Sequence, residues 1–150
     1  CVHAKAKEKG VSVILPVDHL CGAQFDKDTE AVAVDATDIP DNLIGMDIGK
    51  KTIGLIVEAL KTAKSVVWNG PMGVFEFDNF AEGTNAISKK LAELDIISII
   101  GGGDSAAAVE KAGLAEKMTH ISTGGGATLE YMEGKVLPGI DAIEDLEEVS

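Results

Sequence analysis

Two glycine triplets limit what this chain can become. In SIIGGGDSAAA, Gly101, Gly102 and Gly103 follow an apolar β-branched run and precede Asp104, Ser105 and a string of alanines. In ISTGGGATLE, Gly124, Gly125 and Gly126 occupy the same kind of junction. Glycine loses more conformational freedom on ordering than any other residue. Three together, where a strand pattern hands over to a helix pattern, therefore imply a very tight turn, a ligand that approaches the main chain, or both.

The surrounding sequence repeats the same alternation. CVHAKAKEKG has no initiator Met and reads as the end of a helix stopped by Gly10, so a piece of a longer chain is expected. VSVILPV, residues 11–17, is a bounded β-branched run and predicts a strand buried on both faces. AVAVD suits a short edge strand, and DATDIPDNLIGMDIGK, rich in Asp, Pro and Gly, reads as a loop. From Thr52 onward, Ile53, Ile56, Val57 and Leu60 recur at helical spacing. SVVWNGPMG is a strand broken at Asn69, Gly70 and Pro71. Phe80, Ala86, Ile87, Leu91 and Leu94 then form a helical stripe that feeds the strand IISII. After the first triplet come the helix SAAAVEKAGLAEKM, the strand THIS, the second triplet and the helix ATLEYMEG.

Short strands alternating with longer helices predict an α/β fold, a parallel sheet in a three-layer α/β/α arrangement. Crossovers in such sheets are right-handed, and ligands lie beyond the carboxyl ends of the strands. WNGP, GGGDS and STGGG all fall at those ends, which predicts that they line one edge of the sheet.

A chain of 150 residues, 45% of them hydrophobic, suits one domain with a real core. Its net charge of −12 argues against nucleic acid and anionic membranes as partners, so any phosphate must be held by amides, a metal or a few local cations. Cys1 and Cys21 lack CxxC spacing and suggest neither a zinc site nor a disulfide framework, as in a reduced intracellular protein. No apolar stretch approaches the ~20 residues of a membrane span, and no signal peptide is visible, so a soluble cytoplasmic protein is expected. The last residues, from Asp141 to Ser150, are acidic and read as a solvated tail.

At GGGDS a polyphosphate could approach the bare backbone and the amides of the following helix. Asp104 would then suit Mg²⁺. Equally open is a structural turn in which Asp104 or Ser105 caps the helix. TGGGATLE repeats the device without an acid, and its helix start suits a transferring phosphoryl group. GMDIGKKT imitates a Walker A loop but has only three residues between Gly45 and Gly49 and a second Lys where Ser or Thr belongs. His3, His19 and His120 are not paired at metal-ligand spacing, and Trp68 reads as core. Glu76, flanked by Phe75 and Phe77, could accept hydrogen bonds from ribose hydroxyls or simply be a solvated carboxylate.

VVWNGPMGVFEFDNFAEGT, IIGGGDSAAA and HISTGGGATLEYMEGKVLPGIDA, in this order and spacing, closely resemble the carboxyl-terminal half of the phosphoglycerate kinase family. The resemblance runs from the first residues to about Ala142 and takes in GMDIGKKT. It implies a Rossmann-like nucleotide-binding domain over residues 1–142, incomplete at its amino-terminal side, followed by an acidic tail over 143–150. It also implies a glycolytic kinase that moves a phosphoryl group between 1,3-bisphosphoglycerate and MgADP, with ADP/ATP as substrate and Mg²⁺ as cofactor. By the resemblance, Gly45 and Glu76 line the adenosine site, with Glu76 at the ribose, and Asn69 lies near the nucleotide phosphates. Gly102 and Gly103 match the phosphate-binding turn, Asp104 the magnesium ligand, and Ser105 a position held by Thr or Ser. Gly124, Gly125 and Gly126 match the helix start facing the transferred phosphoryl group, which places Gly102, Gly124 and Gly125 nearest the chemistry. His120 matches a hinge histidine at an interdomain contact.

The sequence also departs from the family pattern. The amino-terminal domain that holds phosphoglycerate through a basic patch, the interdomain helix and the first strands with their phosphate-contacting lysines have no counterpart here. Lys50 replaces a usual proline, and the acidic tail is longer than the pattern. Without those cations, the fragment alone is expected to lack turnover. It would bind Mg-nucleotide without catalysis, or exist as an oligomer, a swapped unit or one half of a companion-fragment pair through an exposed sheet edge.

Overall fold

The computed structural model describes residues 2–141, so Cys1 and the tail over 143–150 lie outside the described residues. Helix α1, Val2–Glu8, ends as expected just before Gly10, whose φ of 66° turns the chain. Residues 11–17 are not the expected strand. They form no ladder, and Val11 and Leu15 remain 58% and 54% exposed. A strand buried on both faces needs hydrogen-bonded neighbours and a layer on each side; among the described strands none pairs with this run.

The chain then builds a small antiparallel sheet from β1 (His19–Gly22), β2 (Val32–Val34) and β3 (Ile44–Ile48), ordered β2-β1-β3. The short strand expected in AVAVD is β2. Reading the following segment as loop throughout was wrong, because β3 lies within it and pairs with β1 across a register shift at Leu20 and Cys21. The Asp, Pro and Gly around β3 conceal a strand whose Met46, Asp47 and Ile48 are all buried.

Helix α2 (Lys50–Leu60) is followed by β4 (Ser65–Asn69), a 3₁₀ turn at Asp78–Phe80, α3 (Glu82–Glu93) and β5 (Ile97–Gly101). Helix α4 (Gly103–Lys111) stops earlier than the expected SAAAVEKAGLAEKM helix. Gly113 takes φ of 69°, and a 3₁₀ turn, Ala115–Lys117, replaces the rest. Then come β6 (His120–Ser122), α5 (Gly125–Met132) and α6 (Pro138–Asp141). Strands β4, β5 and β6 form the expected parallel sheet.

Side chains alternate across this sheet. Trp68 and Ile100 join Leu60 of α2, Ile87 and Leu91 of α3, Val109 of α4 and Met118 in one core. Ile99 points to the opposite face, where α5 supplies Ala127 and Tyr131 beside it. The expected α/β architecture, a parallel sheet flanked by helices, is therefore present. No helix among the described residues is long and apolar enough to cross a membrane.

Asp47 joins the two sheets' surroundings. Its carboxylate accepts N–H bonds from Ile48 and from Gly83 in the first turn of α3, both at 2.8 Å. Burial pushes its pKa up to about 6, against the lowering effect of the Gly83 and Ile48 amides and with a smaller raising effect from Glu82. A folded-state pKa above the unfolded value means that the native protein holds more protons between pH 4 and 6, so this group's contribution to stability grows as pH falls through that window. The shift corresponds to roughly 1 kcal/mol between pH 7 and 5. Relief of the −12 net charge acts in the same direction. The readout is therefore the difference from Asp47→Asn: urea titrations at both pH values should show about 1 kcal/mol less gain on acidification in the variant.

Candidate functional site

The pairing of Asn69 with Gly101, and of Gly101 with Ser122, brings the carboxyl ends of β4, β5 and β6 side by side. Both glycine triplets thus lie on the same edge. They also touch. Gly102, with φ of 93°, donates its N–H to the Ser122 carbonyl at 2.8 Å. A Cβ on Gly125 would lie 2.6 Å from Asn69 Oδ1, 2.9 Å from Gly102 Cα and 3.0 Å from Gly102 N. Gly103 and Gly126, by contrast, face open space. In the second triplet Gly125 is therefore required by close approach. In the first, Gly102 is required by its positive φ, and a Cβ on it or on Gly101 would be tight against Asn69 Oδ1; one member of each triplet faces open space.

Main-chain bonding in α4 begins with Ala106 N–H to Gly102 O, and in α5 with Thr128 N–H to Gly124 O, both at 3.0 Å. The amides of Gly103, Asp104 and Ser105, and of Gly125, Gly126 and Ala127, precede those bonds, where a helix has donors without helical acceptors and a partial positive charge. A cavity of about 220 Å³ lies among Asn69, Gly70, the first triplet, Asp104 and Ser105.

The side chains divide the labour. Neither Asp104 nor Ser105 caps α4, whose N-cap is Gly102 without a side-chain cap bond, so the capping alternative is not realised. Asp104 is exposed in the first turn and lines the cavity. Ser105 is fully buried, and its Oγ accepts the Gly70 N–H at 2.7 Å. The Gly70 carbonyl accepts from Trp68 Nε1 at 2.6 Å, so both sides of this residue, with φ of 114°, are tied down. Ser105 consequently offers the cavity its main chain, while its hydroxyl holds the turn that presents Asn69.

The expected adenosine residues lie beyond that turn. Gly45 sits on β3 in a second cavity of about 410 Å³, together with Ile39 and residues 71–74. Glu76 is exposed on the segment after it. The segment over 70–74 thus runs from one cavity to the other, Gly70 lining the first and residues 71–74 the second. His120 is exposed at a separate groove beside Ser122, Gly124 and Tyr131. Ser122 was missed by sequence reasoning: its carbonyl joins the two glycine turns, and its Oγ accepts the Gly124 N–H at 3.3 Å. Only its place ahead of the second triplet could have signalled this.

The family model for phosphoglycerate kinase matches residues 1–135. The chain belongs to the phosphoglycerate kinase family. The phosphoglycerate kinases of Clostridium novyi (strain NT) and Microcystis aeruginosa (strain NIES-843 / IAM M-2473) are similar to it at 59% identity over 141 residues and 58% over 147. These matches cover 94% and 96% of this chain but 35% and 37% of those relatives. The structure of phosphoglycerate kinase from Coxiella burnetii matches with a TM-score of 0.85 at 40% identity, over 93% of this chain and 36% of that one. That from Pyrococcus horikoshii OT3 matches with a TM-score of 0.72 at 40% identity, over 85% and 31%. The chain therefore spans about a third of the length of the family members it matches.

Proposed function

We propose that this chain is the nucleotide-binding portion of a phosphoglycerate kinase, serving phosphoryl transfer between 1,3-bisphosphoglycerate and MgADP in cytoplasmic glycolysis. The observation that carries the reading is the meeting of Asn69, Gly102 and Gly125 at one sheet edge, with two helix starts opening beside them. ADP/ATP phosphates would lie against the turn of Gly102 and Gly103, with the Gly103 amide as donor. The transferred group would lie against the helix start at Gly124, Gly125 and Gly126, with the Gly125 and Gly126 amides as donors, while Ser122 holds the Gly102 and Gly124 N–H groups. Such preorganised donors stabilise charge on the equatorial oxygens of phosphoryl transfer. Glu76 would accept from the ribose hydroxyls, and Gly45 would leave room for the adenosine.

The donor set suits Mg²⁺. Among the described residues no cluster of three or more acidic, His or Cys groups could hold a metal by itself. A lone carboxylate beside phosphate oxygens is the usual protein share of a magnesium site. Asp104 would hold the ion, and when bound the ion supplies neutralisation of phosphate charge. The residues lining the phosphate cavity include no basic side chain, and the chain has no arginine. Losing one transition-state donor commonly costs about 3 kcal/mol, so the chain alone binds nucleotide without turnover. A coupled kinase assay should show no activity above background. Asp104→Asn should weaken MgADP binding about tenfold while leaving Mg-free ADP binding within about twofold; equal loss with and without the metal would overturn the assignment of Asp104.

A second reading rests on a different observation. The apolar run over 11–17 is exposed, and among the described strands β4 pairs on one side only. An open strand edge invites pairing, so the chain would assemble with a second copy or a companion segment of a longer protein, and His120 would sit at an interdomain contact. A stable monomer by light scattering would remove this reading.

A further inference from the structure

Helix α4 ends at Lys111, whose side chain reaches away from its own helix. Lys111 Nζ donates to the Phe75 carbonyl at 3.0 Å and to the Asp78 carboxylate at 3.1 Å, with the Glu76 carbonyl at the edge of reach, 3.5 Å. One turn earlier on the same helix, Ala108 is buried against Phe75 and Ala81. The Glu76 segment is thus held by α4 through an apolar contact on one flank and an ammonium between main-chain carbonyls on the other. The first turn of the same helix borders the phosphate cavity. A nine-residue helix, roughly 13 Å long, therefore connects the two ends of the proposed nucleotide site.

We infer that Lys111 is a positioning residue for nucleotide binding: by clamping the carbonyls of Phe75 and Glu76 to α4, it sets the Glu76 carboxylate at a fixed distance from the phosphate-binding turn. The inference rests on the nucleotide reading above. The Asp78 ion pair is exposed and contributes little by itself. A charged donor to a main-chain carbonyl is stronger, and it acts on the position of the segment that bears Glu76.

The test compares calorimetric titrations of wild type, Lys111→Met and Lys111→Arg with MgADP and with magnesium pyrophosphate, which lacks the nucleoside. Lys111→Met should weaken MgADP about tenfold and leave magnesium pyrophosphate within about twofold, with Lys111→Arg recovering most of the loss. Unchanged MgADP affinity, or equal weakening of both probes, would overturn the role of Lys111 while leaving the nucleotide site intact. A Lys111→Met chain that does not fold would also overturn it, because the residue would then support the core. Wild-type protein that binds neither probe would refute the nucleotide site itself, and the inference with it.

Discussion

Gly125→Val should reduce MgADP affinity at least a hundredfold, equivalent to about 2.7 kcal/mol or more. Even the first atom of the new side chain would enter space held by Asn69 Oδ1 and the Gly102 main chain. Two of those three close neighbours are backbone atoms, so the loops themselves would have to separate. Separation would move the Gly102 amide from Ser122 and spread the donors that are proposed to share one nucleotide. Overpacking of this kind also costs roughly 1–3 kcal/mol of stability, which urea titration would report independently. Gly126→Ala supplies the contrast. Its Cβ meets nothing within 4 Å, its amide is retained, and alanine favours a helix over glycine by up to about 1 kcal/mol. Nucleotide affinity should stay within about threefold.

Asp18→Ala should destabilise the fold by about 3 kcal/mol. Asp18 caps α2 from a distance: its carboxylate accepts the amides of Lys51 and Thr52, each at 2.8 Å, and the Thr52 hydroxyl at 2.6 Å. Thr52 Oγ1 in turn accepts the Val17 N–H at 3.0 Å, and the Asp18 carbonyl accepts the Gly49 N–H at 2.9 Å. Thr52 is only 1% exposed, so water could not replace all of the lost bonds. Each orphaned buried donor costs roughly 1–3 kcal/mol, and a lost cap about 1 kcal/mol. Burial alone would raise the Asp18 pKa, but the Thr52 hydroxyl, the two amides and the Lys51 charge outweigh it and hold the group below its ordinary value. This contribution is accordingly complete above about pH 4 and is lost as pH falls through the lowered pKa. The stability gap between wild type and Asp18→Ala should therefore narrow as pH falls below about 4; a gap that widened on acidification would contradict the capping role.

The legible parts of this fold are those whose signals are local. Strands β4, β5 and β6 carry short β-branched runs, each ending in residues suited to sharp turns, and α2 shows its inward face at helical spacing. The site edge follows from those elements, because parallel neighbours must finish together. Residues 11–17 have equally strong strand composition but find no neighbour among the described strands, and composition cannot supply a partner. Strand β3 was hidden because Gly45, Asp47 and Gly49 look like turn residues, while its pairing with β1 reaches back more than twenty positions. The Asp18 and Asp47 caps span 34 and 36 residues, beyond any local capping pattern. Lys111 was invisible for the same reason: nothing in VEKAG announces a clamp on a segment 36 residues earlier.

The central claim is that two glycine turns, brought together by a parallel sheet, form a single seat for nucleotide phosphates. Calorimetric titration of this chain with MgADP, repeated with Gly125→Val, tests it most directly. One MgADP per chain, lost in the variant, is the expected result. No saturable binding at millimolar nucleotide, or undiminished binding by a folded Gly125→Val protein, would contradict it.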